Sequence, residues 1–249
     1  MDIGIITGAS SGLGWEFARQ ISRRYHPDAL WLIARREERL RELAEQIDTP
    51  ARVWPMDLTR PDNLESLATA LTQQKYQIRF LVNNAGFGKR GPFQSQPLEP
   101  QLDMIDLNVR ALVHLTHLCL PQMPSGGQII QVASSAGLLP MANFSVYSAS
   151  KAFVIQFSYG LAAELAGRGI TVTAVCPGPV ATEFHQVAGN GNDARQSLPV
   201  ATPEKVVDTA LHDAGRGKRM SLYGLSVKLL PMVARVFSRK FLARMAGKF

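Results

Sequence analysis

The 249-residue sequence holds only two cysteines, Cys119 and Cys176, each inside an apolar stretch (HLCLP and TAVCPG). Two isolated thiols build neither a disulfide framework nor a zinc-ligand spacing, and they read as small buried residues of a reducing compartment. No run approaches the roughly 18 uncharged apolar residues that a membrane-spanning helix needs. Met1 leads straight into a strand-like run, without the basic start, apolar stretch and cleavage site of a signal peptide, so a cytoplasmic location is expected. Acid is missing from the far end: residues 214–249 carry nine Lys and Arg and no Asp or Glu, and they supply the whole formal charge of +7. The remaining 213 residues are close to balanced, with 18 basic against 20 acidic side chains. The basicity therefore belongs to a tail, and a broad nucleic-acid surface is not expected.

What is present is an alternation of strand-length apolar runs with helix-period stretches. Runs at 3–7, 29–33, 51–55, 79–83, 128–133, 171–175 and, more weakly, 219–223 are separated by helical patterns at 13–25, 36–47, 61–74, 98–120, 146–167 and 203–214. Repeated βα units of this kind predict an α/β fold, a doubly wound parallel sheet covered by helices on both faces. The length suits a single domain over 1–224, followed by a basic amphipathic segment at 225–249. Thr59, ahead of Arg60 and Pro61, reads as the hydroxyl cap of the third helix. The stretch 183–202, rich in Gly, Asn and Asp, lacks periodicity and reads as a mobile loop over a substrate site.

The first strand runs into Thr7-Gly8-Ala9-Ser10-Ser11-Gly12-Leu13-Gly14 and then an amphipathic helix, the context a dinucleotide-binding turn requires. Glycines let the backbone approach a pyrophosphate, and the helix N-terminus meets its charge. About 20 residues further on, an NAD site would place an acid on the ribose 2′-hydroxyl. The sequence offers Ala34-Arg35-Arg36 instead. A guanidinium holds a 2′-phosphate by charge-assisted hydrogen bonds where an acid would repel it, so NADP(H) is expected, with Arg35 foremost and Arg36 beside it. Ser10 or Ser11 can add a hydroxyl to the same phosphate. The plainer alternative makes both arginines solvated first-turn residues paired with the glutamates of REERLRE.

Tyr147 and Lys151 are four apart near the start of a long helix and share one face. A tyrosine hydroxyl is a poor acid or base at neutral pH, and a nearby ammonium favours its phenolate, so the pair makes a proton relay. Ser134 ends the fifth strand, where the carboxyl edge of a parallel sheet presents side chains to ligand, and its hydroxyl can hold a substrate oxygen. Ser135 is the adjacent competitor.

Taken in order, TGASSGLG, Asp57-Leu58, Asn83-Asn84-Ala85-Gly86, Asn108, Ser134, Tyr147 with Lys151, and Pro177-Gly178 with Thr182 resemble the short-chain dehydrogenase/reductase family, over roughly residues 1–215. NAGFGKRGPF and the LPQM before the fifth strand are similar to the NADP-preferring bacterial reductases within it. The resemblance implies a Rossmann fold and hydride transfer between NADP(H) and a carbonyl or alcohol. It makes Tyr147 the general acid or base and Ser134 the group that orients the carbonyl. Lys151 would bind the nicotinamide ribose and lower the tyrosine pKa, and Asn108 would hold a water continuing the proton path. It places Asp57 and Leu58 at the adenine, Asn84, Ala85 and Gly86 beside the cofactor, and Pro177, Gly178, Val180 and Thr182 on the nicotinamide side. It also implies a homodimer or homotetramer built partly from the helices near 98–120 and 146–167.

A cofactor-binding sensor without turnover is the alternative from another class, and the co-occurrence of Asn108, Ser134, Tyr147 and Lys151 argues for the enzyme. Within the enzyme class, a 3-oxoacyl thioester and a lipophilic aldehyde or ketone both remain open as substrates. In the tail, Lys228, Arg235 and Arg239 fall near one line of a helix, with Leu230, Val233, Phe237 and Phe241 opposite and Pro231 in a first turn. Such a segment can serve a subunit contact, a pocket lid or an anionic membrane surface.

Overall fold

A computed structural model describes residues 1–184, 188 and 200–246. Seven strands form one parallel sheet in the order β3-β2-β1-β4-β5-β6-β7. They are β1 (Asp2–Thr7), β2 (Ala29–Ala34), β3 (Ala51–Pro55), β4 (Gln77–Asn83), β5 (Gln128–Val132), β6 (Thr171–Val175) and β7 (Met220–Ser221). The helices are α1 (Gly12–Tyr25), α2 (Glu37–Glu45), α3 (Pro61–Thr72), α4 (Leu98–Ile105), α5 (Leu112–Cys119), α6 (Ser145–Leu165), α7 (Pro203–Gly215), α8 (Leu225–Val236) and α9 (Arg239–Ala246). The doubly wound α/β expectation holds.

Successive side chains of a strand point to opposite faces, and here both faces are buried. Ile3, Ile5, Trp31, Ile33, Leu81, Ile129 and Val172 belong to one core layer. Ile6, Leu30, Leu32, Phe80, Val82, Ile130 and Val175 belong to the other. That double burial is why the strands read as unbroken apolar runs. The chain winds outward from β1 in one direction through β2 and β3 and in the other through β4 to β7. The order reverses between β1 and β4, and the crevice beyond the carboxyl ends of those strands is where a doubly wound sheet receives ligand.

Four details depart from the sequence expectations. The long helix expected at 98–120 is three pieces, because α4 passes through a π-helical turn at Asp106–Ala111 before α5 begins. A π turn carries an extra residue per turn and re-aims the side chains within it; Asn108 lies inside this one. Thr59 does not cap α3: the N-cap residue is Arg60, without a side-chain cap bond. The Thr59 hydroxyl instead donates to Asp57 Oδ1 at 2.7 Å. The seventh strand contracts to two residues, pairing only through Met220 and Ser221 with β6. The tail is two helices rather than one, and Pro231 sits inside α8, not in its first turn. Of the expected 183–202 loop, residues 185–187 and 189–199 lie outside the described residues. Ala201, near its far end, forms a bridge with Val180.

Candidate active site

The phosphate end is built mainly from backbone. Gly12 starts α1 with φ +56°, a conformation that costs a side-chain-bearing residue energy. A Cβ on Gly14 would lie 2.2 Å from the Gly8 carbonyl oxygen, so only glycine lets α1 settle onto the turn. Thr7, which opens the turn in sequence but carries no assigned role there, ties it to the end of β4. Its Oγ1 accepts hydrogen bonds from the backbone N–H groups of Asn84 at 2.9 Å and Ala85 at 3.0 Å. Asn84 Nδ2 returns bonds to the carbonyls of Thr7 and Gly8. The Asn84-Ala85-Gly86 segment is thereby fixed against the glycine turn.

At the ribose-side wall, Arg36 is the arginine joined to the phosphate turn. Its Nε and Nη2 donate to Ser10 Oγ at 3.3 and 3.1 Å, and Nη2 also reaches the Ser10 carbonyl. Its Nη1 pairs with Glu183 at 2.9 Å. The solvated pairing within REERLRE is taken up by other residues, Arg41 with Glu37 and Arg39 with Glu42. Arg35 is exposed and lies close enough to Asp57 to help hold that carboxyl below its usual range. Burial acts against this lowering as the largest single influence, and the hydrogen bonds from Thr59 together with the charges of Arg35 and Arg60 overcome it. The pairing of Arg36 with Glu183 was not legible in sequence, since the partners are far apart in the chain.

The reacting end is built from buried side chains. Tyr147, Lys151 and Asn108 are almost wholly enclosed, and Ser134 stands at the carboxyl edge as the N-cap of the Ser135–Leu138 turn, its Oγ accepting from Ala136 N. Ser135 lies within that turn. Asn108 is clamped by the backbone of Phe87: its Oδ1 accepts from Phe87 N at 3.1 Å and its Nδ2 donates to Phe87 O at 3.0 Å. The same Nδ2 donates to Ser150 Oγ at 3.1 Å. The π turn thus stitches the Gly86 strand end to the helix carrying Tyr147 and Lys151.

Lys151 Nζ donates to the Val132 carbonyl at 2.8 Å. Burial pushes its ammonium down to about 8, with the Cys176 thiol opposing that shift. Burial pushes the Tyr147 phenol up to about 12, and a hydrogen bond with Ser134 pulls the other way. The phenol therefore stands raised overall, where a lowering by the Lys151 ammonium is expected. Loss of water around a phenolate outweighs the ammonium, whose Nζ lies 5.8 Å from the centre of the tyrosine ring.

An aromatic wall surrounds the tyrosine. Phe144 stacks on it at 4.3 Å between ring centres, and Phe184 approaches at 5.4 Å. Arg90 lies 5.5 Å from the centre of the Phe144 ring. Sequence reasoning missed Phe144, whose only signal was its position three residues before Tyr147. The glycine turn, Arg35, Arg36, Asp57, Leu58, Asn84 to Gly86, Ser134, Tyr147, Lys151, Pro177, Gly178, Val180 and Thr182 line one cleft of about 960 Å³. Gly14 and Asn108 stand behind its wall as supports. A glycine-lined turn at the start of α1 with an arginine beside it fits a dinucleotide carrying a 2′-phosphate.

Fold and cleft together define a dinucleotide-dependent oxidoreductase of the Rossmann class. The short chain dehydrogenase family matches residues 2–193. Among curated relatives, sulfoacetaldehyde reductase 2 of Chromohalobacter salexigens is 40% identical over 202 residues, covering 78% of each chain. The NADP-dependent 3-hydroxy acid dehydrogenase YdfG of Escherichia coli is 36% identical over 213 residues, covering 81% of this chain and 84% of the relative. A solved short-chain dehydrogenase from Sphingobium yanoikuyae in complex with NADPH superposes with TM-score 0.80 at 33% identity, covering 92% of this chain and 90% of the other. The chain belongs to the short-chain dehydrogenase family, whose enzymes act on alcohol and carbonyl groups.

Proposed function

We propose that the protein is an NADP(H)-dependent reductase that moves a hydride between the nicotinamide and the carbonyl or alcohol of a lipophilic aldehyde or ketone. The observation that carries this reading is the convergence of Ser134, Tyr147 and Lys151 on the cleft that also holds the glycine turn and Arg36. The pairing of Arg36 with Ser10 supports the 2′-phosphate preference, as do the NADPH-bound structural neighbour and the NADP-dependent relative. A sensor would have no use for the buried proton relay.

When bound, the cofactor supplies or accepts the hydride. The chain's own residues manage the oxygen. Ser134 and Tyr147 hydroxyls orient the carbonyl and stabilise the negative charge that develops on it. Burial holds the Tyr147 phenol protonated, which suits it to donate its proton to the nascent alkoxide. Lys151, anchored on Val132, would hold the nicotinamide ribose with its remaining N–H groups. Asn108, fixed by Phe87, is placed to support a water on the proton path behind Lys151.

On the substrate side the cleft has an apolar wall of Phe87, Leu139, Met141, Phe144 and Phe184 and is closed by Leu230, Val233 and Leu242 of the tail. This wall favours a lipophilic group beside the carbonyl. A second reading has its own observation: Lys89 and Arg90 also line the cleft, and the two curated relatives are named for substrates that bear an acid group, sulfoacetaldehyde and 3-hydroxy acids. A screen of NADPH oxidation over lipophilic aldehydes and ketones, short acid-bearing carbonyls and 3-oxoacyl thioesters tests both. The highest kcat/KM is expected for the lipophilic group; preference for the short acids selects the second reading, and silence across the panel refutes the enzyme.

The enzyme is proposed to work in the cytoplasm as a homo-oligomer. Leu98, Leu102 and Ile105 form an exposed apolar line on α4, and Phe153 and Tyr159 are exposed on α6; a second copy packed on these two adjoining helices would cover them.

A further inference from the structure

The tail presents two apolar faces, and the pocket uses only one. Leu230 and Val233 of α8 and Leu242 of α9 turn inward and line the cleft, and α8 packs on the Ser135–Leu138 turn. On the outer side, Leu225, Leu229, Met232 and Val236 are 83, 56, 65 and 76% exposed. Their spacing of four, three and four residues puts them on one line of a helix. Phe237 and Phe241, both exposed, stack at 5.1 Å where α8 gives way to α9. Lys228 and Arg235 fall on the flank of the α8 line, and Arg239, Lys240 and Arg244, all exposed, follow in α9. The sequence expectation of a single apolar stripe is thereby corrected: the helix break sends Phe237 and Phe241 outward while Leu230 and Val233 face in.

We propose that this outer face is a docking surface for an anionic lipid bilayer. Charge decides among the occupants. The last 36 residues hold nine cations and no acid, so a second tail laid against this face would set like charges together. The rest of the chain carries almost no net charge to attract it. Anionic headgroups match the cations while the Leu, Met, Val and Phe side chains enter the acyl boundary. Among the described residues no helix is long and apolar enough to cross a membrane, so the contact is peripheral. Because α8 carries the outer stripe on one side and pocket-lining residues on the other, docking brings the substrate cleft to the bilayer. This consequence rests on the lipophilic-substrate reading; the docking itself does not.

The test is co-sedimentation of the full chain with vesicles of phosphatidylcholine alone and of phosphatidylcholine with about one-third phosphatidylglycerol. Wild type is expected to sediment with the anionic vesicles, to stay in solution with the neutral ones and to be released by salt. The double variant Leu229→Asp with Met232→Asp should lose about tenfold in anionic partitioning, with turnover of a water-soluble carbonyl unchanged. Lys228→Gln with Arg235→Gln, which leaves the apolar stripe intact, should lose the anionic preference. Equal binding to both vesicles, or none, overturns the proposal. A drop in the oligomeric mass of the lipid-free Asp variant also overturns it and makes a second copy the occupant. Reduction of acid-bearing rather than lipophilic carbonyls would remove the consequence for substrate delivery and leave the docking result standing.

Discussion

The two ends of the cleft are built on opposite principles. At the phosphate end the ligand-facing surface is largely backbone, organised by Gly12, Gly14 and the Thr7 hydroxyl, with half-exposed charge added by Arg36. At the reacting end Tyr147, Lys151 and Asn108 are buried, and each is held by a specific hydrogen bond or ring contact. The difference follows from what each end must do. A pyrophosphate is already charged and needs close backbone approach, whereas a proton donor needs a dry site that controls its ionisation. Substitutions at the reacting end should therefore act on kcat, and those at the phosphate end on cofactor affinity.

The largest expected effect is Tyr147→Phe, which should lower kcat by about 10³-fold with the NADPH dissociation constant nearly unchanged. Steady-state kinetics beside a fluorescence titration measures both; a comparable loss of NADPH binding would erase the division between the ends. Arg36→Ala should raise the KM for NADPH by about tenfold or more and hardly touch NADH. Arg35→Ala should do the same to a smaller degree, because Arg35 lacks the anchoring on Ser10. Equal losses for the two cofactors would contradict the phosphate role.

Lys151 gives the comparison a pH dependence. The unfolded chain keeps this proton to about pH 10.5, while the folded one sheds it from about 8. The unfolded state thus binds more protons at this group in that window, so Lys151 by itself should add about 2 kcal/mol to the stability of the cofactor-free protein between pH 8 and 10. The thiols of Cys119 and Cys176, raised by burial from 9.0, oppose it from about pH 9. Above pH 10 the raised Tyr147 opposes the trend, since the folded protein then retains the proton that the unfolded chain loses. Urea denaturation of wild type against Lys151→Met, which should lack the Lys151 contribution, reads the effect. The smallest expected change is at Glu183. Its half-exposed pair with Arg36 contributes under about 1 kcal/mol, and Glu183→Gln should tighten NADPH binding about two- to threefold by freeing a guanidinium nitrogen for phosphate. A weaker NADPH complex in this variant would show that Glu183 supports the cofactor rather than competing with it.

The same contrast explains what could be read from sequence. Strand-length apolar runs announced the sheet because both its faces are buried, and the glycine turn was legible because its spacing is local. Tyr147 and Lys151 gained meaning only in company with Ser134 and the turn. Features that depend on distant residues were not legible: the Glu183 clasp on Arg36, the Phe87 clamp on Asn108, the role of Thr7. The π turn escaped because periodicity at 98–120 averages over a single extra residue. Spacing put Tyr147 and Lys151 on one face but could not show that burial would dominate the phenol or that the Val132 carbonyl holds the ammonium. In the tail the apolar period was visible; the break at Phe237 and Ser238, which divides it into an inner and an outer face, was not.

The central claim is that hydride passes from NADPH to a carbonyl carbon within this cleft. Turnover of a reducible ketone with NADPH carrying deuterium at the transferring face of nicotinamide C4 tests it most directly by mass spectrometry of the alcohol. Deuterium retained on the carbinol carbon is the predicted result. An alcohol without deuterium would contradict the account.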